Sequence, residues 1–127
     1  MKPAITILRL RAFCELLRYD LVSAIWGFPG VRRGLPKVSN GQTLPVECEI
    51  AISQAVDWAA ALYWKRVLCL QRSIAGTRLL RAYGVKAELV IGCRLVPFAG
   101  HAWVEVDGRV LSGPAAYPQH LQVLDRA

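Results

Sequence analysis

Residues 4–26 set Ile5, Leu8, Phe13, Leu16, Leu17 and Leu21 at helical spacing, with Arg9, Arg11, Glu15 and Arg18 between them. That period predicts an amphipathic helix, or two in succession, with one face for a core and polar residues opposite. Gly27-Phe28-Pro29-Gly30 is expected to end it, and the four Gly and three Pro of residues 27–45 predict a long irregular connection. Long connections in small domains are often functional, so this one is also a candidate lid over a site. Pro45-Val46-Glu47 opens a second helix well, with proline in the first turn and an acid near the positive end of the dipole. Ile50, Ile52, Val56, Ala59, Ala60, Leu62 and Tyr63 cover most of its circumference, which predicts the central buried helix, with Trp58 and Trp64 packed in the core. Lys65-Arg66 closes it.

A third helix is expected from Cys69 to Tyr83, with Gly84 as its C-terminal cap. Ser73, Gly76, Thr77 and Leu80 continue the face begun by Cys69 and are small enough to allow close packing, whereas Arg72, Arg78 and Arg81 are expected to face water. Beyond Gly84 the period changes from helical to extended. Ala87-Glu88-Leu89-Val90-Ile91-Gly92-Cys93 predicts a strand, and Pro97-Phe98-Ala99-Gly100 a loop. His101, Trp103 and Glu105 then alternate with Ala102, Val104 and Val106, as in a strand with one apolar face. Asp107-Gly108 is a strong hairpin signal, so Arg109-Val110-Leu111-Ser112 is expected to return antiparallel. Leu121-Gln122-Val123-Leu124 is a candidate edge strand. Helices followed by a small antiparallel sheet make an α+β fold.

At 127 residues and 54% hydrophobic content, the chain is expected to form one domain over 1–127 with a substantial core. Within it, a helical region and loop (1–44) precede a core at 45–127. Sixteen basic residues against nine acidic ones leave a net charge of +7, which suggests an acidic or anionic partner. These charges are scattered, without Lys/Arg blocks or interleaved aromatics, so nucleic acid is not the expected partner. Cys14, Cys48, Cys69 and Cys93 form no CxxC pair, and with only two histidines neither a metal site nor another cofactor is expected. Cys14, Cys48 and Cys93 are expected to be reduced core residues. No uncharged apolar run reaches the ~20 residues a bilayer span needs, and Arg9 and Arg11 interrupt the N-terminal apolar run. A cytoplasmic protein is expected.

The chemistry concentrates in Cys69 and His101. A thiol becomes a nucleophile when its pKa is lowered and a base holds its proton. A helix start favours the thiolate through its free N–H groups and dipole, and an imidazole supplies the base. The bland alternative makes Cys69 a small buried hydrophobe and His101 a satisfied core histidine. The functional reading rests on their placement, one at a helix start and one at a strand start.

That order resembles the transglutaminase-like cysteine protease superfamily, which is built with papain-like logic. Within it, Cys69-Leu70-Gln71-Arg72-Ser73, Gly84-Val85-Lys86-Ala87, Leu89-Val90-Ile91-Gly92 and His101-Ala102-Trp103-Val104-Glu105-Val106-Asp107-Gly108 resemble the stand-alone leader peptidases of lasso-peptide biosynthesis. The resemblance covers roughly residues 60–112. It implies a cysteine peptidase, with Cys69 as nucleophile, His101 as base and then acid, and the Cys69 amide as an oxyanion donor. It also implies a precursor leader peptide as substrate, a separate leader-recognition protein and an ATP-dependent lasso cyclase as partners. The family places an aspartate on the strand after the hairpin, where this chain has Ser112-Gly113-Pro114. Ser112, through its hydroxyl, is therefore the candidate side chain to orient His101, with a backbone carbonyl as the alternative. Asp107, six residues from His101 along a strand, would lie ~20 Å away at ~3.3 Å per residue. Without the acid, a catalytically weak homologue that binds the precursor or the cyclase is the alternative. A basic nucleic-acid adaptor and a transglutaminase-type acyl transferase are the remaining readings.

Overall fold

The computed structural model describes residues 4–36, 46–95, 98–106, 109–111 and 122–127. Three helices, α1 (Ile5–Arg33), α2 (Val46–Leu62) and α3 (Cys69–Ala82), precede β1 (Ala87–Leu95), β2 (Phe98–Val106), β3 (Arg109–Val110) and β4 (Gln122–Arg126). The strands form one antiparallel sheet in the order β3-β2-β1-β4. The α+β expectation holds.

In α1 the buried positions Leu8, Ala12 and Leu16 recur every fourth residue and pack on α2 and α3. The helix breaks at Gly27, whose φ of 68° and ψ of −170° are open essentially to glycine alone. It does not give way to the irregular stretch expected from there. Pro29 falls in the first turn of a new helical segment, where its missing N–H costs nothing, and the segment runs to Arg33. Val31 is buried against Ile74, Leu89 and Ala102, and Arg32 grips Asp125 of β4 through two bonds of 2.8 and 3.0 Å. Residues 28–33 are thus docked on the body of the molecule, not poised as a lid; the rest of the expected connection, 37–45, lies outside the described residues.

The central helix is α3 rather than α2. Gln71, Ser73, Ile74, Ala75, Gly76, Thr77, Leu79 and Leu80 are all buried, because α3 is packed by α1, α2, β1 and β2 together. Its small residues make this possible, with Thr77 turning its hydroxyl back to the Ser73 carbonyl at 2.8 Å. It ends in a Schellman motif, in which Gly84 at φ 87° donates to Arg81 O and Val85 donates to Leu80 O, each at 3.0 Å. On α2 the i, i+3, i+4 set Ile52, Ala55, Val56, Ala59 and Ala60 is buried, as is Tyr63 just past its end, but Ile50, Trp58, Leu62 and the following Trp64 are exposed. The two tryptophans are therefore surface residues, against expectation. Arg78 and Arg81 depart from theirs as well. Arg78 pairs with Glu15 at 2.6 Å, and Arg81 donates to the carbonyls of Pro36, Ala87 and Ala127. Cys48 and Cys93 are buried and Cys14 is exposed, all as free thiols.

In the sheet, β1 and β2 pair from Ala87↔Val106 to Leu95↔Phe98, so Phe98–Gly100 belong to a strand and not to a loop. Pairing of Val106 with Arg109 fits a two-residue connection at Asp107-Gly108, residues outside those described. The edge strand β4 slips register between Ile91 and Gly92, leaving Leu124 without an opposite residue.

Candidate active site

Cys69 is the first residue of α3, after Leu68 in an extended conformation (φ −86°, ψ 167°). The bond from Arg72 N–H to Leu68 O, at 3.1 Å, closes the first turn. The amides of Cys69, Leu70 and Gln71 therefore have no acceptor within the helix, and no side chain caps it. The thiol is part-exposed, unlike those of Cys48 and Cys93. Behind it, Gln71 Nε2 donates to Leu16 O at 3.0 Å, fixing the helix start to α1. The connection into Cys69 is held by Asp20, whose carboxylate takes the Lys65 ammonium at 2.6 Å and the Tyr63 hydroxyl. Burial works against the charge on Asp20, but the bonds from Lys65 and Tyr63 prevail and hold its carboxyl below the ordinary range. Burial first, then the charge of Asp20, pushes the Tyr19 hydroxyl up, against the opposing charge of Lys65.

His101 sits on β2 opposite Gly92 of β1. Its ring stacks on Trp103, with centroids 5.9 Å apart and planes at 20°. The indole is held in turn by its Nε1–H, which donates to Glu105 Oε2 at 2.7 Å, and Arg126 braces Glu105 at 3.2 Å. Gly92 leaves the space this needs: a Cβ there would lie 2.9 Å from the Trp103 ring and 3.2 Å from the Gln122 carbonyl oxygen. Burial pushes the imidazole pKa down, so the ring is neutral at pH 7. Ser73 Oγ–H donates to Ala102 O at 3.0 Å, clamping the second turn of α3 to the strand beside His101.

The two elements enclose a cavity of about 190 Å³ lined by Asp57, Val67, Cys69, Arg72, Ser73, His101 and Ala102. A part-exposed thiol, a neutral imidazole and helix N–H groups without an intrahelical acceptor, around one cavity, are the components of acyl transfer through a thioester. Arg72, expected to face water, stands at the rim 3.6 Å from Asp57. Burial raises the Asp57 carboxyl, and the Arg72 charge opposes it. Among the described residues, no group of three or more His, Cys, Asp or Glu is placed to hold a metal ion.

Cys69 and His101, singled out from the sequence, are brought to one cavity. Ser112, Asp107 and the Gly113-Pro114 stretch lie outside the described residues. Sequence reasoning missed Asp57, Gln71 and the Trp103 platform. A signal existed for the last, since a glycine inside a strand often marks close approach by another group, and Gly92 is that glycine. Asp57 carried none: an exposed acid on a helix that also holds Glu47 and Glu49 reads as an ordinary solvent-facing residue.

Comparison with known proteins bears on the same residues. The family described as the Transglutaminase-like superfamily matches residues 15–126. The microcin J25-processing protein McjB of Escherichia coli is 41% identical over 56 residues, which are 44% of this chain and 27% of that protein. The match thus spans about a quarter of that relative's length. No solved structure matches the chain.

Proposed function

The chain belongs to the transglutaminase-like superfamily, and from that premise we propose that it is a cysteine peptidase that removes the leader from a ribosomally made lasso-peptide precursor. The carrying observation is the single cavity lined by a thiol at the first position of α3 and an imidazole on β2. Likeness to a protein named for processing microcin J25 supports the substrate class. A separate leader-recognition protein and a macrolactam-forming cyclase are the partners this reading implies.

In this mechanism Cys69 Sγ attacks the carbonyl carbon of the last leader residue while His101 takes the thiol proton. The resulting oxyanion is met by the amide of Cys69 at the helix start. The C–N bond then breaks, His101 returns its proton to the departing amine of the core peptide, and the leader remains as a thioester. Water, deprotonated by His101, attacks the thioester carbonyl and releases the leader carboxylate and the thiol. Trp103 holds the imidazole plane throughout, and Gln71 and Asp20 hold the helix start.

The test is single-turnover leader cleavage followed by mass spectrometry, with the precursor, any recognition protein and the full chain. Cys69→Ala should abolish cleavage without changing the circular dichroism spectrum. Iodoacetamide near neutral pH should label Cys69 faster than Cys14, although Cys14 is the more exposed thiol; the comparison separates activation from mere access. Retained cleavage in Cys69→Ala would refute the reading. Precursor binding without cleavage by the unaltered chain would favour the binding-module alternative.

A further inference from the structure

Helix α1 carries two apolar stripes, and the core uses one. Leu8, Ala12 and Leu16 are buried. On another face, Ile7, Cys14 and Leu21 recur every seven residues, and Leu10, Leu17 and Ala24 do the same three residues later. That is the a/d pattern of a helix seam. All six are exposed, with Ile7 at 53%, Leu10 at 65%, Leu17 at 40% and Leu21 at 65%. At ~1.5 Å per residue the seam is about 25 Å long. It opens at its N-terminal end into a cleft of about 440 Å³ formed by Thr6, Arg9, Leu10 and Phe13 with Trp58 of α2.

Charge selects the occupant. The two acids of α1 are committed to the body of the molecule, Glu15 to Arg78 and Asp20 to Lys65. Arg11 and Arg18 follow Leu10 and Leu17 along the seam's border, and the Arg9 guanidinium lies 4.6 Å over the Trp58 ring at the cleft. A second copy of the chain pairing antiparallel would set Arg11 and Arg18 against their equivalents, in a molecule already at net charge +7. A lipid surface offers no projecting side chain to fill a concave cleft, whereas a helix does. We propose that this face of α1, with the Trp58 cleft, docks an acidic amphipathic helix of a partner protein, one apolar residue of which enters the cleft. The occupant's charge falls opposite the arginines and its a/d residues on the seam.

The probe is a labelled 21-residue helical peptide with Leu at a and d and Glu at e and g, compared with a version carrying Lys at e and g. Fluorescence anisotropy with the full chain should show binding of the Glu peptide that weakens as salt rises. Affinity should drop at least tenfold in Leu10→Glu and in Leu17→Glu, and stay unchanged in Leu124→Glu, an exposed residue on β4. Bound Glu peptide should also slow alkylation of Cys14. Circular dichroism checks that the variants fold, and exposed positions should tolerate the change. Four results would overturn the proposal. These are no binding of the Glu peptide, equal binding of the Lys peptide, binding indifferent to the seam variants, and seam-dependent self-association or capture by 1:1 phosphatidylglycerol–phosphatidylcholine vesicles in place of peptide binding. Cleavage has no part in the readout, so failure here is distinct from failure of the peptidase reading.

Discussion

At the scale of single residues, the chemistry of the proposed site turns on an imidazole kept neutral by burial. A lowered pKa lets His101 accept a proton down to more acidic pH than a free imidazole, whose ordinary value is ~6.5. The single-turnover rate of leader cleavage should therefore rise with pH along a limb centred below that value. His101→Gln should remove the limb and slow cleavage by at least a hundredfold, the scale of lost general base catalysis. A limb centred above ~6.5 would show that a negative group, and not burial, governs the ring. Cys69 and His101 were legible because their signals are local: a thiol where one helix begins and an imidazole where the period changes to two. Trp103 under the ring, Asp57 across the cavity and Gln71 bonded to Leu16 O depend on contacts between residues far apart in the chain, so no local pattern reports them.

At the scale of elements, hydrophobic period located three helices and the main strands among the described residues, but it missed the helical turn after Gly27 and the start of β2 and misjudged which helix lies at the centre. The apolar residues of α2 outnumber the faces available to bury them, so Ile50, Trp58 and Leu62 spill to the surface. The small residues along the middle of α3 (Ser73, Ala75, Gly76 and Thr77) are what permit neighbours on all sides. Two glycines, Gly76 on α3 and Gly92 on β1, separate spare space from required space, with opposite signs. A Cβ at Gly76 would sit 3.7 Å from Val104 Cγ2, an ordinary contact, and alanine restricts the unfolded chain. Gly76→Ala should stabilise by about 0.5–1 kcal/mol, seen as a higher urea midpoint at unchanged slope. Gly92→Ala has no such room, with the Trp103 ring on one side and the Gln122 carbonyl on the other. It should cost about 1–3 kcal/mol and slow cleavage more than the stability loss explains, because the ring under His101 must move. A neutral Gly92→Ala would mean that the tryptophan is not held over that glycine.

At the scale of the whole molecule, the perturbed groups tie stability to pH with a definite sign. For His101 the folded pKa lies below the unfolded one, so in that window the unfolded chain binds more protons. Stability is then full above ~6.5 and falls as pH drops toward the folded value. Asp20 has the same sign one range lower, since Lys65 and Tyr63 outweigh burial and depress its carboxyl. Its contribution is present above the ordinary carboxylate range of ~4 and is lost as pH falls through the folded value. Asp57 runs the other way: burial raises it, so its charge opposes folding as pH rises through the folded value, and protonation relieves that opposition. The expected thermal midpoint is level above neutral pH and descends in two limbs on acidification, the second softened by Asp57. His101→Gln should remove the first limb and leave the second. Asp20→Asn should lower the plateau and shrink the second limb, because it unties α1 from the connection that leads into Cys69. Scanning calorimetry of the three proteins from pH 8 to pH 3 decides it. A first limb that survives in His101→Gln would show that its burial is not what makes the molecule sensitive to mild acid.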